Sequence, residues 1–519
     1  MALIQLFDMM PGLCGIMSEI SQKVLGVMNR EVGNLASFDE LERLADEVGN
    51  LFSQALMSEV LNAYDKKLMD ARDADTFENR GIEERRVSCC FGEVRVQRRL
   101  YRDSTVQDKS EDKGYHFLLD EAIGLPPYER FSSNVKEAAV SEATVVSYRK
   151  TEATLRDMGM ASPTYRTIHR WANETGEARR FEQHRNAEMI FGEGKMPPGP
   201  RKRIGFLVTE VDELFIHEQR SGGKDFELQV GLSYEGWGLR YPGNGGKTKD
   251  EYLLCGKHLF SGVYKEPEEF FEEFTAELAV MYELPEVRWL VQNGDGASWI
   301  HEGFKGFEGG IDHLDPFHWR MRVGRYLKRE APEVLEAILR EIDNNNASGG
   351  IELLRAHVDK QAEEEKRKGL EVLRYLKNHE DKLVDYRRRG FELPVGMELR
   401  GVGHAESVVD DPYAKRLKKA RMSWSREGAA NMATLLSARV NGGLSSLIKR
   451  AIGWRRRSSR EETGGKRSGT REYVRNAKDT LAGGVRNGGI PYLYGRYNST
   501  MTGRTLKGIR RIALDIYSQ

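Results

Sequence analysis

The pattern of apolar and polar positions predicts a helix and then a hairpin in the first part of the chain. Apolar residues recur at helical spacing from 37 to 70, where Ser37 and Glu40 form a capping box at the start of the pattern. From 85 to 102 apolar and polar positions alternate, with Phe91-Gly92 as a turn. This second pattern predicts an antiparallel β-hairpin.

The next pattern, from 131 to 190, predicts successive helices that end in a helix-turn-helix. A helix begins at Ser147, Gly159 supplies the turn, and Ile168 and Trp171 are expected to pack inward from the last helix. The outward positions of that helix are Tyr165, Arg166, His169 and Arg170. Such a helix can enter a DNA major groove, although ordinary helical packing explains the pattern equally well.

An α/β pattern follows a Gly- and Pro-rich linker. Strands are predicted at 204–212, 227–235, 252–260, 287–293 and 310–316, and helices near 266–283, near 297–307 and from 318. The order β-β-β-α-β-α-β-α is that of an RNase H-like core, in which helices flank a mixed sheet.

These patterns together divide the chain into seven regions. They are an N-terminal helical region (1–80), a β-hairpin with a connecting segment (81–130), the helix-turn-helix region (131–190), the first part of the core (201–330), a charged helical insertion (331–395), the last part of the core (396–440) and a basic C-terminal region (441–519).

Charge is unevenly distributed although the formal net charge of the chain is zero. Residues 413–519 contain 24 Lys and Arg but only 6 Asp and Glu, a net charge of +18. Clustered cations bind phosphate chains by releasing counterions, so this part predicts a polyanion partner, with a solvated basic surface as the alternative. The hairpin arginines either touch nucleic acid or form an exposed polar face. They are Arg86, Arg95, Arg98, Arg99 and Arg102.

The compartment is predicted from what the sequence lacks. No run of about 18 apolar residues occurs, so a membrane span is not expected. The four cysteines form no C-x-x-C pair, which argues against a zinc site or a disulfide framework. A cytoplasmic protein is therefore expected.

Three acidic residues, Asp212, Asp295 and Glu406, stand where strand-like runs meet a turn or a helix. The first and fourth strands of an RNase H-like sheet are neighbours, so Asp212 and Asp295 are expected to converge, with Glu406 joining from a later helix. Such carboxylates can hold two Mg²⁺ ions, or Mn²⁺, for phosphodiester chemistry. Taken alone, each acid is more often structural, and Asp295 could cap a helix instead. Glu210 faces the same side as Asp212 and is either a helper or a bystander.

Ordered sequence blocks between about 85 and 435 carry a resemblance to a known family. The blocks are Phe91-Gly92-Glu-Val94, Arg98-Arg-Leu-Tyr101, Leu118-Leu-Asp120-Glu-Ala-Ile-Gly124-Leu, Ser147-Tyr-Arg149, Thr167-Ile-His169, Tyr234-Glu-Gly-Trp237, Asn293-Gly-Asp295-Gly-Ala-Ser-Trp299-Ile, Asp315-Pro-Phe-His318, Arg416-Leu-Lys418-Lys and Met422-Ser-Trp424-Ser. With them the chain resembles the transposases of the Lre-type bacterial insertion sequences, which are allied to the mutator-like DDE enzymes.

The resemblance implies a bacterial DNA transposase whose metal-binding acids fall on Asp212, Asp295 and Glu406. The family's first motif resembles Glu-Ala-Asp-Gly, whereas this chain has Glu210-Val-Asp212-Glu213. The block around Glu406 departs as well, with His404-Ala405 where the family favours apolar residues.

The resemblance also implies roles for residues around the acids. Asp315-x-x-His318 matches the C/D-x-x-H signature, so His318 would contact the scissile phosphate and Asp315 would fix the start of its helix. Basic residues after Glu406 would lie where DNA crosses the site, namely Arg416, Lys418, Lys419 and Arg421. The implied partners are double-stranded DNA, at element ends and target, and further copies of the chain, in a nucleoid-associated setting.

Two other functions remain open from the sequence. A nuclease of the same fold would cut without joining strands. A non-catalytic, transposon-derived DNA-binding protein would bind DNA but no metal at Asp212 and Asp295.

Overall fold

Two compact units make up the chain in this computed structural model. The structure describes residues 12–106, 114–243, 249–304, 310–388, 390, 398–419 and 422–451. The first unit comprises Met1–Ala172 and Ile448–Glu461, and the second comprises Asn173–Leu447 and Glu462–Gln519. Most of the predicted basic region 441–519 therefore lies outside the described residues.

The first unit combines long helices with a small antiparallel sheet. Its elements are α1 (Gly12–Met28), α2 (Phe38–Ala71), β1 (Phe77–Cys89), β2 (Gly92–Asp103), β3 (Tyr115–His116), α3 (Leu118–Ala122), α4 (Ser133–Ala143), α5 (Tyr148–Asp157) and the first part of α6 (Tyr165–Ala187).

The start of α2 and the hairpin confirm two sequence predictions. The side chain of Ser37 accepts a hydrogen bond from the backbone N–H of Glu40, and the Glu40 carboxylate accepts one from the backbone N–H of Ser37. Strands β1 and β2 pair antiparallel with Cys89 opposite Gly92. A small apolar core that includes Leu61 of α2 covers one face of this hairpin.

Two of the hairpin arginines proposed for DNA contact are ion-paired within the protein. Arg98 pairs with the buried Asp120, which also binds Arg85 at 2.7 Å. Arg99 pairs with Asp65, whose side chain is only 2% exposed. These contacts stabilise the hairpin against α2 and α3, so the predicted exposed polar face does not include Arg98 or Arg99.

The predicted helix-turn-helix corresponds to α5 and the start of α6. The Ser147 side chain caps α5, and Gly159 has a positive φ of 69° directly after that helix. In α6, Ile168 and Trp171 are 0% and 1% exposed, as predicted. Helix α6 continues to Ala187, and the division between the two units falls within it.

The second unit is an α/β structure with a long helical insertion. After α6 its elements are β4 (Phe206–His217), β5 (Asp225–Tyr234), β6 (Gly236–Tyr241), β7 (Glu251–Cys255), β8 (His258–Gly262), α7 (Pro267–Met281), β9 (Trp289–Gly294), α8 (Ser298–Phe304), β10 (Ile311–Leu314), α9 (Pro316–Leu327), α10 (Pro332–Asp343), α11 (Ala347–Val358), α12 (Glu363–Asn378), α13 (Ala405–Val408), α14 (Lys415–Leu417) and α15 (Arg426–Val440).

Five strands form one mixed sheet in the order β10-β9-β4-β5-β8. Strands β9 and β10 run parallel to β4, whereas β5 is antiparallel to β4 and β8 is antiparallel to β5. Aromatic side chains of α7, including Phe270, Phe271 and Phe274, pack against the sheet in a buried cluster. The predicted mixed sheet with flanking helices is confirmed at this level.

The single strand predicted at 252–260 is wrong, because it is two strands in two sheets. Glu251–Cys255 pairs with Gly236–Tyr241, and His258–Gly262 joins the five-stranded sheet. Gly256 lies between them with a φ of 60°, a left-handed conformation that ends the first strand. The predicted strand ran across Gly256-Lys257-His258, a polar interruption of the apolar run at which the chain turns.

The predicted insertion folds as helices α10, α11 and α12 with a core of their own. Leu354, Val358 and Leu376 are fully buried in a cluster that also contains Leu314 of β10 and Trp319 of α9. The insertion therefore packs on the end of the five-stranded sheet. Among the described residues, no helix is long and apolar enough to cross a membrane.

Candidate active site

Neighbouring strands bring Asp212 and Asp295 to the same end of the sheet. In the parallel pair of β4 and β9, Val211 lies opposite Gly294, and each acid is the next residue along its chain. The backbone N–H of Asp315, directly after β10, donates to the carbonyl of Gly294 at 2.8 Å. Asp295 and Asp315 directly follow β9 and β10, whereas Asp212 lies within β4, which continues to His217 beyond the predicted end at 212. The three acids are thus placed at the level of the sheet where β9 and β10 end.

The environment of Asp212 shows that these acids interact. Burial, together with the charges of Asp295 and Asp315, raises the pKa of Asp212 to about 6. The backbone N–H of Glu213, 2.8 Å from Asp212 Oδ1, and the nearby His318 oppose that rise. Burial and neighbouring negative charges make the ionised form of Asp212 less favourable unless a cation binds nearby.

His318 is surrounded by the same acids. It lies in the first turn of α9, where Asp315 caps the helix by accepting from the N–H of Phe317 at 2.7 Å, as expected. His318 Nδ1 is 3.8 Å from Asp315 Oδ1. Burial alone would lower the pKa of His318, but Asp315, Asp212 and Asp295 raise it above its usual value. The imidazolium form is therefore more favourable here than in a fully exposed histidine.

Glu406 approaches from α13 and is exposed. Burial raises the pKa of its carboxyl above the ordinary range, Asp315 adds to the rise and His318 opposes it. Glu406 accepts no hydrogen bond from any described residue, so its side chain is held less firmly than Asp212 or Asp295. The helical location predicted for the third acid is confirmed.

Glu210 is the most heavily hydrogen-bonded acid of this edge. It is 0% exposed, and its Oε1 accepts from the Tyr234 hydroxyl at 2.7 Å. Its Oε2 accepts from Asn293 Nδ2 at 3.2 Å and from the backbone N–H groups of residues 403, 404 and 405 at 3.0, 2.8 and 3.1 Å. Burial raises the pKa of Glu210 to about 7, although these donors favour its charged form.

Asn293 connects Glu210 to the cap of the His318 helix. Its Nδ2 also donates to Asp315 Oδ2 at 3.0 Å, and its Oδ1 lies 3.0 Å from His313 Nδ1. One buried polar network therefore joins β4, β9, β10 and the segment before Glu406. Such networks fix side-chain geometry when every member is satisfied.

The helical insertion also reaches this edge. The Tyr375 hydroxyl donates to the backbone carbonyl of Asp295 at 2.8 Å, and His379 Nε2 lies 3.1 Å from the carbonyl of Gly296. Asp295 itself accepts from the N–H of Ala297 at 2.8 Å, a turn bond that precedes α8. Ala297 holds the cap position of α8, so Asp295 does not cap that helix, contrary to the alternative considered from the sequence. The Asp295 loop is therefore fixed from both sides.

The donor chemistry of this edge fits a hard divalent cation. In the described part of the chain no group of three His, Cys, Asp or Glu side chains is gathered at metal-ligand geometry. Asp212 and Asp295 nevertheless each engage only Oδ1 with a backbone N–H of a described residue. Their mutual repulsion is what Mg²⁺ or Mn²⁺ would relieve.

The predicted DNA-contacting residues differ in accessibility. Arg416 is only 4% exposed and its guanidinium lies over the Trp424 ring at 5.0 Å, so it packs inside the protein instead of facing DNA. Lys418 and Lys419 are exposed, and Lys419 pairs with Asp410 at 2.8 Å. Arg421 lies outside the described residues.

The helix-turn-helix candidates remain accessible. Arg166, His169 and Arg170 are exposed at the start of α6, and Tyr165 is half-buried. The guanidinium groups of Arg149 and Arg166 lie 5.0 and 5.8 Å from the centre of the Tyr165 ring. These contacts form a cationic and aromatic surface on the first unit.

Sequence reasoning overlooked Asn293, Tyr234, Tyr375 and His379. Asn293 and Tyr234 stand inside the sequence blocks that carry the family resemblance, and this was the available signal for them. Tyr375 and His379 lie in the insertion, where helical spacing gives no sign that a side chain reaches the Asp295 loop.

Comparison with known proteins identifies the family of this chain. The model of an uncharacterised protein family, UPF0236, matches residues 32–457, and the chain belongs to that family. A similar relative, the "UPF0236 protein in vanSb 3'region" of Streptococcus gallolyticus, is 26% identical over 426 residues, which are 79% of this chain and 86% of the relative.

Further relatives and one solved structure extend the comparison. A UPF0236 protein of Caldanaerobacter subterraneus subsp. tengcongensis is 24% identical over 405 residues, 78% of this chain and 77% of the relative, and its name joins eleven designations. The Drosophila P element transposase strand transfer complex aligns over 73% of this chain and 91% of its own, with 12% identity and a TM-score of 0.22. That TM-score is too low to support an inference.

Proposed function

We propose that this protein is a DDE-type DNA transposase that cuts and joins DNA strands at the ends of an insertion sequence. The observation that carries the proposal is that neighbouring strands bring Asp212 and Asp295 together, with His318 close to both and Glu406 close to His318. Phosphodiester chemistry by divalent cations needs carboxylates from separate segments in this kind of arrangement.

The strand order supports an RNase H-like identity for the core. If the five strands are numbered in chain order, they run 5-4-1-2-3 across the sheet. The second strand is antiparallel to the first and the third, whereas the fourth and fifth run parallel to the first. This arrangement brings the first and fourth strands together, which is the convergence that the sequence resemblance requires. The helical insertion follows the fifth strand and precedes Glu406.

Each residue of the site has a role in the proposed reaction. Asp212, Asp295 and Glu406 would hold Mg²⁺, which when bound activates the attacking oxygen and stabilises the leaving one. Water attacks the phosphorus at the element's end and the 3′-oxygen leaves with a proton. The freed 3′-hydroxyl then attacks a target phosphorus, forming a new ester bond as the target's 3′-oxygen leaves. His318, whose charged form the neighbouring acids stabilise, would donate a hydrogen bond to the scissile phosphate.

Two further observations support a mobile DNA element as the context. The eleven designations in the name of one Caldanaerobacter relative are what a gene present in many copies would produce. The exposed Arg166, His169 and Arg170 of the helix-turn-helix would bind element ends, and Lys418 and Lys419 would contact backbone phosphates beside Glu406. Double-stranded DNA and, because two ends must be joined, a second copy of the chain are the proposed partners.

Strand cleavage and strand transfer on a supercoiled plasmid carrying the element ends test this function. Asp295→Asn should abolish Mg²⁺-dependent activity, whereas Asp250→Asn should not, because Asp250 is exposed and lies outside the five-stranded sheet. Unchanged activity in Asp295→Asn would overturn the proposal. Cutting without joining by the wild-type protein would instead identify a nuclease, and DNA binding without any metal-dependent cutting a non-catalytic binding protein.

A further inference from the structure

Glu210 differs from the other acids of the site because one of its carboxylate oxygens, Oε2, has no bonding capacity left. Oε2 accepts four hydrogen bonds, from Asn293 and three consecutive backbone N–H groups, and Oε1 accepts one from Tyr234. Each carboxylate oxygen offers about two lone-pair positions. Binding a cation through Oε2 would therefore require it to release donors that are themselves buried or part-buried, which argues against Oε2 as a metal ligand.

The three backbone N–H groups that bind Glu210 come from one short segment of the chain. They belong to residues 403–405, which immediately precede Glu406. One carboxylate oxygen thus fixes the start of the helix that carries the third acid. Glu210 also lies on the same strand, and on the same face, as Asp212. Its side chain therefore links the strand that carries Asp212 to the segment that precedes Glu406.

Asn293 extends this relationship to the remaining acid. It stands two residues before Asp295 and donates to Glu210 Oε2 at 3.2 Å. Glu210 therefore lies where the three chain segments that carry Asp212, Asp295 and Glu406 meet. Side chains outside the ligand set commonly orient metal-binding groups, and their loss lowers affinity or activity by about 10- to 100-fold.

We propose that Glu210 is a positioning residue that sets the location of Glu406 relative to Asp212. This inference rests on the proposed function, in which Glu406 is a catalytic carboxylate. Glu210 itself does not touch DNA or metal. The acid that the sequence left as a helper or a bystander thus acts through the backbone of residues 403–405.

The first test combines Glu210→Gln with Glu406→Gln in a double-mutant cycle. Glu210→Gln keeps the shape of the side chain but removes its negative charge. The donors to Oε2 then face a neutral amide oxygen, and the Tyr234 hydroxyl must accept from the amide NH₂ instead of donating. In the wild-type background it should slow strand cleavage about 10- to 100-fold. In the Glu406→Gln background it should add less than about two-fold, because the residue that it positions is already disabled. An equal loss in both backgrounds would overturn the proposal.

Hydrogen exchange of the backbone gives a measurement that does not depend on activity. In Glu210→Gln the amides of 403–405 should exchange faster, whereas amides of β4 should be unchanged. Unaltered exchange at 403–405 would overturn the positioning role even if the protein were inactive for another reason. A wild-type protein without metal-dependent cleavage would refute the proposed function separately, and exchange would still decide the role of Glu210.

A second pair of variants leaves Glu210 in place. His404→Pro removes the N–H that donates to Glu210 at 2.8 Å, and the φ of −88° at this position is close to that of proline. His404→Ala removes the same ring but keeps the N–H. His404→Pro should lose at least ten-fold more cleavage activity than His404→Ala. Equal activities of the two variants would contradict the proposal.

Discussion

Tyr375 donates a hydrogen bond from its hydroxyl to the backbone carbonyl of Asp295, with 2.8 Å between the two oxygens. This bond links the helical insertion to the loop that carries a candidate catalytic acid. His379, one turn further along, approaches the carbonyl of the next residue, Gly296, at 3.1 Å. The insertion therefore holds the Asp295 loop in place, in addition to packing against the core.

Removal of the Tyr375 hydroxyl should impair catalysis more than stability. Tyr375→Phe deletes one hydrogen bond, which costs about 1 kcal/mol of unfolding free energy, but it releases the Asp295 loop. We expect strand cleavage about ten-fold slower with unchanged DNA affinity, measured by plasmid cleavage and by fluorescence anisotropy.

Tyr326→Phe is the matched control for that variant. The Tyr326 hydroxyl also donates to a backbone carbonyl, that of Glu365 at 3.3 Å, but this bond joins the end of α9 to the start of α12 and does not involve the Asp295 loop. Both variants should lose similar stability, whereas Tyr326→Phe should keep wild-type activity. Equal activity of the two variants would show that the Asp295 loop does not depend on Tyr375.

Local signals in the sequence predicted the helices and strands better than they predicted which segments pair with one another. The capping box of Ser37 and Glu40 and the inward positions Ile168 and Trp171 depend on residues near one another in the chain, and the structure confirms them. The strand predicted at 252–260 failed because it ran across Gly256-Lys257-His258, where the apolar pattern is interrupted and Gly256 adopts a positive φ.

The site was predictable as a set of acids but not as a network. Asp295 directly follows a strand, as the pattern predicted, whereas β4 continues past Asp212 to His217. The bonds of Glu210 span 193 to 195 residues to reach 403–405, and no periodicity encodes contacts of that separation. The burial of Arg416 escaped prediction for a related reason, since a basic residue on a short helix is exposed unless an aromatic partner such as Trp424 covers it.

Acid pH should weaken the second unit through Glu277. Burial alone would raise the pKa of Glu277, but Arg179, at 2.5 Å, and His258, at 3.0 Å, lower it to about 2. Because the unfolded value is near 4.5, the charged form contributes stability that is complete above pH 4.5 and lost as the pH falls towards 2.

Glu277→Gln should therefore cost about 3 kcal/mol at pH 7 and only about 1 kcal/mol at pH 3, by urea unfolding monitored with circular dichroism. Glu268→Gln is the control, because Glu268 is exposed in the first turn of the same helix. A cost for Glu277→Gln that does not change with pH would contradict the assigned ion pair.

Two arginines of strand β2 should contribute very differently to stability, because one is ion-paired with a buried acid and the other lies on the surface. The side chain of Arg98 is 14% exposed and pairs with buried Asp120, whereas that of Arg95 is 62% exposed. Arg98→Ala leaves a buried carboxylate with one partner fewer and should cost about 2–4 kcal/mol, whereas Arg95→Ala should cost less than about 0.5 kcal/mol. Urea unfolding measures both. An Arg98→Ala protein as stable as the wild type would show that Asp120 does not need this partner.

The exposed start of α6 should bind DNA phosphates or bases through Arg166. This arginine lies beside the Tyr165 ring, and the N–H of Tyr165 donates to Glu152 of the preceding helix at 2.8 Å, which fixes the two helices against each other. Arg166→Ala should weaken binding to DNA that carries the element ends, and each phosphate that is no longer bound lowers the slope of log K against log salt by about 1.

Arg156→Ala is the matched control, because Arg156 is exposed on α5 and pairs with Glu152 at 3.1 Å. Fluorescence anisotropy at several salt concentrations should give a reduced slope for Arg166→Ala alone. Identical slopes for the two variants would remove α6 from the DNA-binding surface.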